Sequence, residues 1–121
     1  MFEELLHNKS PNLTKCEQKW DYLYSGDAGE AFFLMGVKGK PGSVYCVGSG
    51  ETLPLYEYID IIVNTVGKES KPKIGTLSYA ENQVMYLCAD IETLKKDTGF
   101  KPKTTFKNGI KNTFEWYISK Y

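Results

Sequence analysis

A chain of 121 residues, 41% apolar and 25% charged, has the composition of one soluble globular unit, and residues 1–121 are expected to form a single domain. Fifteen acidic side chains balance fifteen basic ones, which argues against a nucleic-acid or membrane binder. All fifteen basic residues are lysines, so a diphosphate ligand would have to rest on lysines, backbone amides and helix N-termini, without arginine forks.

In chain order, Phe2 to His7 predicts one or two helical turns, ended before Ser10-Pro11. The aromatic stretch Trp20-Asp21-Tyr22-Leu23-Tyr24 predicts a buried strand. Asp27 then reads as the N-cap of a helix, with Glu30 three residues on, apolar residues Ala28, Ala31, Phe32 and Met35 at helical spacing, and Gly39 as its stop. Ser43-Val44-Tyr45-Cys46-Val47 predicts a second strand closed by Gly48-Ser49-Gly50. Pro54 suits the first turn of a helix whose inner face is Leu55, Tyr58, Ile59, Ile62 and Val66, with Gly67 beyond it. Lys73 to Leu77 predicts an edge strand and Val84 to Cys88 a further extended piece. Asp90 should cap a short helix from Ile91 to Thr98 that Gly99 ends, and a last helix carries Phe106, Ile110, Phe114 and Tyr117 on one stripe. Alternating strands and helices place the chain in the α/β class, a small mixed domain of three to four short strands and four to five helices.

Cys16, Cys46 and Cys88 are odd in number and form no CxxC pair, so reduced thiols in a cytoplasmic protein are expected in place of a disulfide framework or zinc site. His7 is the only histidine, which excludes a multi-histidine metal site, and it is expected to be an exposed bystander. The opening Met1-Phe2-Glu3-Glu4-Leu5-Leu6 has no basic n-region and no long apolar run, so neither a signal peptide nor a membrane span is expected.

Gly36, Gly39 and Gly42 have the spacing of a dinucleotide-binding turn, but they leave a helix and enter a strand, the reverse of what a pyrophosphate at a helix N-terminus needs. Gly48-Ser49-Gly50 does follow a strand, and its two glycines suit a tight turn. Short-chain hydride transfer uses a tyrosine with a lysine four residues later, and none of the nine tyrosines has one. Asp21 and Asp27 read as structural carboxylates before they read as a catalytic pair. The lysines at 95, 96, 101, 103, 107 and 111 read as a solvated face, and Trp20 with the tyrosines near it as core.

Three stretches carry a resemblance. The first runs from Gln18-Lys19-Trp20-Asp21-Tyr22-Leu23-Tyr24 through Asp27-Ala28-Gly29-Glu30-Ala31. The second is Gly42-Ser43-Val44-Tyr45-Cys46-Val47-Gly48-Ser49-Gly50-Glu51. The third joins Ala89-Asp90-Ile91, Gly99-Phe100 with Pro102, Gly109-Ile110 and Trp116-Tyr117. In order and spacing they resemble the C-terminal, substrate-side portion of extended short-chain dehydrogenases/reductases, the NAD(P)-dependent nucleotide-sugar epimerases and dehydratases. The resemblance covers about Leu13 to Tyr117. It implies that Gln18, Lys19, Trp20, Tyr79, Asn82 and Gln83 line the substrate side, and that there is no catalytic residue and no metal site. NAD or NADP would belong to the parent enzyme's Rossmann domain, which these residues lack, and no cofactor is expected on this chain alone. Arginines that many members carry at the places of Trp20 and Ala80 are missing, and Ser25-Gly26 stands where Val-Asp is usual. The expected partners are a nucleotide diphosphate sugar, held weakly or not at all, and either a second copy or a separate Rossmann chain. A non-enzymatic assembly module is the alternative, and a decayed or cut gene product a third.

Overall fold

Three two-residue strands and five helices make up the computed structural model, which describes residues 1–120. In chain order these are α1 (Phe2–Leu6), β1 (Lys19–Trp20), α2 (Ser25–Lys38), β2 (Leu53–Pro54), α3 (Leu55–Val66), β3 (Tyr86–Leu87), α4 (Glu92–Thr98) and α5 (Phe106–Lys120). The sheet order is β2-β1-β3. β1 runs antiparallel to β2, with Lys19 opposite Pro54, and parallel to β3, with Lys19 opposite Tyr86. The expected α/β class and element counts hold.

Local chemistry explains why the strands are short. Pro54 has no amide to donate and its φ of −56° suits a helix start, so β2 passes directly into α3 and the Leu55 amide donates to the Gln18 carbonyl at 2.8 Å. Beyond Trp20, one more ladder bond forms, from the Asp21 amide to the Leu87 carbonyl at 2.9 Å, before the chain turns into α2. The strand predicted over Trp20 to Tyr24 is therefore only Lys19–Trp20.

The core gathers Ala31, Ile91, Leu94 and Phe100, with Leu23, Leu34, Met35, Tyr45, Val47 and Ala89 packed around it. Burying a Leu or Phe side chain contributes about 1.5–3 kcal/mol, so Leu94 and Phe100, each 1% exposed, are its heaviest members. Gly99 ends α4 at φ +72°, a left-handed conformation that a side chain would strain, and so drops Phe100 back onto the core. A second contact zone joins α3 to α5 and α1, where Phe2 meets Phe114 and Tyr117 at ring separations of 5.3 and 5.8 Å.

Three further expectations are corrected, and one strand was not foreseen. Asp27 is not an N-cap: α2 begins two residues earlier, Tyr24 holds the cap position, and the Asp27 carboxylate reaches across the fold. Ser43 to Val47 is extended in its alternation, Tyr45 and Val47 inward and Val44 and Cys46 outward, yet pairs with no strand among the described residues. Lys73 to Leu77 forms no strand but is laced to residues 11–14 by an isolated bridge, Lys73 to Asn12, and by backbone bonds such as Lys73 amide to Pro11 carbonyl at 2.8 Å. β2 has no counterpart among the predicted strands, because two residues next to a proline carry too little alternation to announce themselves.

Candidate functional site

β1 and the segment leading into β3 bring most of the expected substrate-side residues to one seam. The Lys19 amide donates to the Met85 carbonyl at 2.8 Å, leaving its side chain exposed. The Trp20 indole donates to the Val84 carbonyl at 2.8 Å, and the Gln83 amide nitrogen reaches the same oxygen at 3.3 Å. The Tyr79 hydroxyl accepts from the Glu17 amide at 2.9 Å and donates to the Glu17 carboxylate at 3.3 Å. Gln18 is 5% exposed, and its Oε1 has no donor among the described residues. An unmet buried acceptor costs about 1–3 kcal/mol, and here that cost falls on the side-chain oxygen of Gln18. Asn82 stands exposed in the turn before Gln83, with no side-chain hydrogen bond among the described residues.

Three aspartates are committed to the fold, whereas Glu17 at the seam is exposed and its carboxylate accepts only from Tyr79 among the described residues. Asp21 accepts from the Ser49 amide at 2.8 Å, the Ser49 hydroxyl at 2.6 Å, the Gly50 amide at 2.9 Å and the Ala89 amide at 3.2 Å. Gly48 is obligatory beside it, since a Cβ there would lie 2.6 Å from Asp21 Oδ2. Asp27 accepts from the Lys103 amide at 3.0 Å, the Thr104 amide at 2.8 Å and the Thr104 hydroxyl at 3.1 Å, which fastens the approach to α5 onto α2. Asp97 holds Lys40 at 2.8 Å and accepts the Tyr45 hydroxyl at 2.9 Å. The Lys40 hydrogen bond and then the Tyr45 hydroxyl hold the Asp97 carboxyl below its ordinary pKa, and the same bond to Asp97 raises that of Lys40. A general base needs a free carboxylate within reach of a substrate proton, and these three are held by structural partners.

Sequence reasoning missed a second feature. A groove of about 790 Å³ lies between the ends of α3, α4 and α5, lined by Tyr22, Leu53, Tyr58, Phe106, Lys101 and Lys107 among others. Tyr58 packs against Phe106 and Tyr22 at ring separations of 4.4 and 5.0 Å, and burial raises the pKa of both tyrosines. Tyr58 also ties the sheet together, donating to the Trp20 carbonyl at 3.0 Å and accepting the Leu53 amide at 3.1 Å. Of the rim lysines, Lys95 pairs with Glu92 and Lys103 with Glu30. Lys101 and Lys107 have no carboxylate partner among the described residues. The signal was the lysine cluster itself, but spacing alone does not reveal that a hollow lies between those lysines.

No family model matches the chain. The human dTDP-D-glucose 4,6-dehydratase is 31% identical over 113 residues, covering 86% of this chain and 31% of that protein. A dTDP-glucose 4,6-dehydratase of Escherichia coli is 28% identical over 115 residues, covering 90% of this chain and 32% of its own length. Among solved structures, the UDP-glucose 4-epimerase of Thermotoga maritima with UDP-glucose superposes with a TM-score of 0.88 at 22% identity, over 98% of this chain and 38% of that one. The UDP-N-acetylglucosamine 4-epimerase of Methanobrevibacter ruminantium gives 0.87 at 23% identity, over 99% and 38%. The chain belongs to the nucleotide-sugar epimerase/dehydratase family and matches its C-terminal portion. It spans about a quarter to a third of the length of the curated relatives.

Family neighbours have been solved with NADPH or NAD. The glycine turn of this family member does not fit a dinucleotide pyrophosphate. The Ser49 and Gly50 amides that would have to face the phosphates are turned onto Asp21, whose negative charge would repel them. Among the described residues no group of three His, Cys, Asp or Glu side chains is placed to hold a metal ion, and no helix is long and apolar enough to cross a membrane. The three cysteines are free thiols, Cys16 buried and Cys46 exposed, and His7 is exposed with its Nδ1 2.7 Å from the Glu3 carbonyl oxygen.

Proposed function

We propose that this chain is the nucleotide-sugar-binding lobe of an NAD(P)-dependent epimerase, dehydratase or reductase, and that it does no redox chemistry alone. The observation that carries this is the seam at β1 and β3, where Trp20 and Gln83 share the Val84 carbonyl, Tyr79 closes on Glu17 and the Lys19 side chain stands exposed. Such a surface binds through hydrogen bonds, one lysine charge and an indole face. With no arginine to fork a diphosphate, its affinity should be weak. The missing Tyr-x-x-x-Lys pair supports inactivity of the lobe by itself. Its free thiols suit the reducing cytoplasm, where we place it.

Titrating dTDP-glucose and UDP-glucose into the 15N-labelled chain tests the binding half. The expected result is fast-exchange shifts confined to residues 17–20 and 79–85, with a dissociation constant on the order of 1 mM. Shifts elsewhere, or none at ten times that concentration, would remove the seam as the site. Turnover of either sugar by the pure chain with added NAD or NADP would refute the inactivity.

A further inference from the structure

The groove between the ends of α3, α4 and α5 shares no lining residue with the seam. Its volume of about 790 Å³ falls within the roughly 300–1,000 Å³ of small-ligand pockets. Its floor is aromatic. The Tyr58 ring is buried, Phe106 lies half-buried against it, and Tyr22, 39% exposed, stands 5.8 Å from the Phe106 ring. The walls are held from behind. Asp27 grips the Lys103 and Thr104 amides on one side, and Tyr58 joins Leu53 to Trp20 on the other. The hollow therefore forms without a ligand, which lowers the ordering cost of binding one.

The polar groups of the groove are less committed than those of the core. Lys101 and Lys107 are exposed ammoniums with no carboxylate partner among the described residues, while Lys95 and Lys103 are neutralised by Glu92 and Glu30. The Tyr22 and Thr52 hydroxyls also make no hydrogen bond among the described residues. Burial raises the Tyr22 pKa, which keeps that hydroxyl a donor at neutral pH. Glu51, exposed on the wall formed by residues 49–53, is the single carboxylate of the lining. Two free cations against one anion leave the groove positive in a chain whose total charge is zero.

We infer that this groove is a second ligand site, separate from the seam, and that it takes an aromatic phosphate monoester. The flat ring lies on the floor of Tyr22, Tyr58 and Phe106, and Lys101 and Lys107 hold the phosphate. Lysine binds phosphate as a point charge, so two of them match the nearly two charges of a terminal phosphate at neutral pH. Ring against ring then adds what a bare ion cannot gain. Glu51 disfavours a second anionic group at the wall of residues 49–53. Both phosphates of a nucleotide diphosphate sugar are internal and singly charged, so the groove and the seam select different ligands.

The test is a titration of the 15N-labelled chain with phenyl phosphate at about 0.15 M salt, where loose charge attraction is screened. Fast-exchange shifts should be confined to Tyr22 and residues 51–53 and 101–107, with a dissociation constant on the order of 1 mM. Inorganic phosphate and benzyl alcohol, each carrying half of the ligand, should bind at least about tenfold more weakly. The K101Q/K107Q double variant should melt as the unaltered chain does and lose at least about tenfold in affinity, while E51Q should lose none. No shift in these residues at about 10 mM phenyl phosphate would overturn the inference. So would undiminished binding by K101Q/K107Q. Inorganic phosphate binding as well as the ester would leave only an ion on the surface, and benzyl alcohol binding as well would leave only an apolar slot; either result overturns it equally. Shifts at residues 17–20 and 79–85 in place of the groove would assign the ester to the seam and overturn it too.

Discussion

The two sides of α2 are built on opposite terms. On its inner side the aspartates are answered from within the chain: Asp27 by the backbone before α5, Asp21 by the turn at residues 48–50, Asp97 by Lys40 and Tyr45. On its outer side, two phenylalanines and a valine stand in solvent beside an extended segment that pairs with no strand among the described residues. A side that satisfies its own hydrogen bonds folds without help, whereas a side that leaves apolar area and main-chain groups open is shaped by something outside it. The difference separates what stabilises this lobe from what the lobe offers.

If the inner side carries the stability, breaking it should cost most. Phe100→Ala empties the centre of the core, and denaturant titration should show a loss of about 3–5 kcal/mol. Asp21→Ala strands four donors around the glycine turn and should cost about 2–3 kcal/mol in the same assay, with residues 48–50 the first to gain exchange. Tyr58→Phe keeps the ring packing but deletes the hydroxyl that joins Trp20 to Leu53, for a loss of about 1–2 kcal/mol.

The Lys40–Asp97 pair sharpens the comparison through pH. A carboxyl whose folded pKa is lowered stabilises the fold above its ordinary value of 3.8 and loses that contribution as pH falls through the folded value. Lys40 behaves oppositely: its folded pKa is raised, so its contribution is complete below 10.5 and is lost as pH rises through the folded value. Melting temperature against pH should therefore show an acid-side loss that D97N removes. At the small end, V44K on the bare side should change the stability of the isolated chain by no more than about 0.5 kcal/mol.

Helices were the legible part of the sequence, because caps and periodicity are local. Gly39, Gly67 and Gly99 end α2, α3 and α4 where the pattern places them. Strands were less so, since pairing depends on distant partners: Val44 to Val47 has strand alternation and no ladder, while Leu53–Pro54 has a ladder and no pattern. Asp27 illustrates the same limit at a single residue. Its spacing before Glu30 looks like a cap, yet its donors lie 76 and 77 positions away at Lys103 and Thr104. At the candidate site, resemblance brought Gln18, Lys19, Trp20, Tyr79 and Gln83 to one seam, but the buried side-chain oxygen of Gln18, without a donor among the described residues, is a fact of packing that no motif encodes.

The contrast between the two sides of α2 is tested most directly by residue-resolved amide exchange of the isolated chain under native conditions. The account predicts that the amides of Val44, Cys46 and Val47 exchange at close to unprotected rates, while those of Lys95 and Gly99, bonded within α4 and its cap, open only with global unfolding. Protection of the two groups to the same degree, at concentrations where the chain is monomeric, would contradict it: residues 44–47 would then be sealed from within, and the two sides of α2 would not differ.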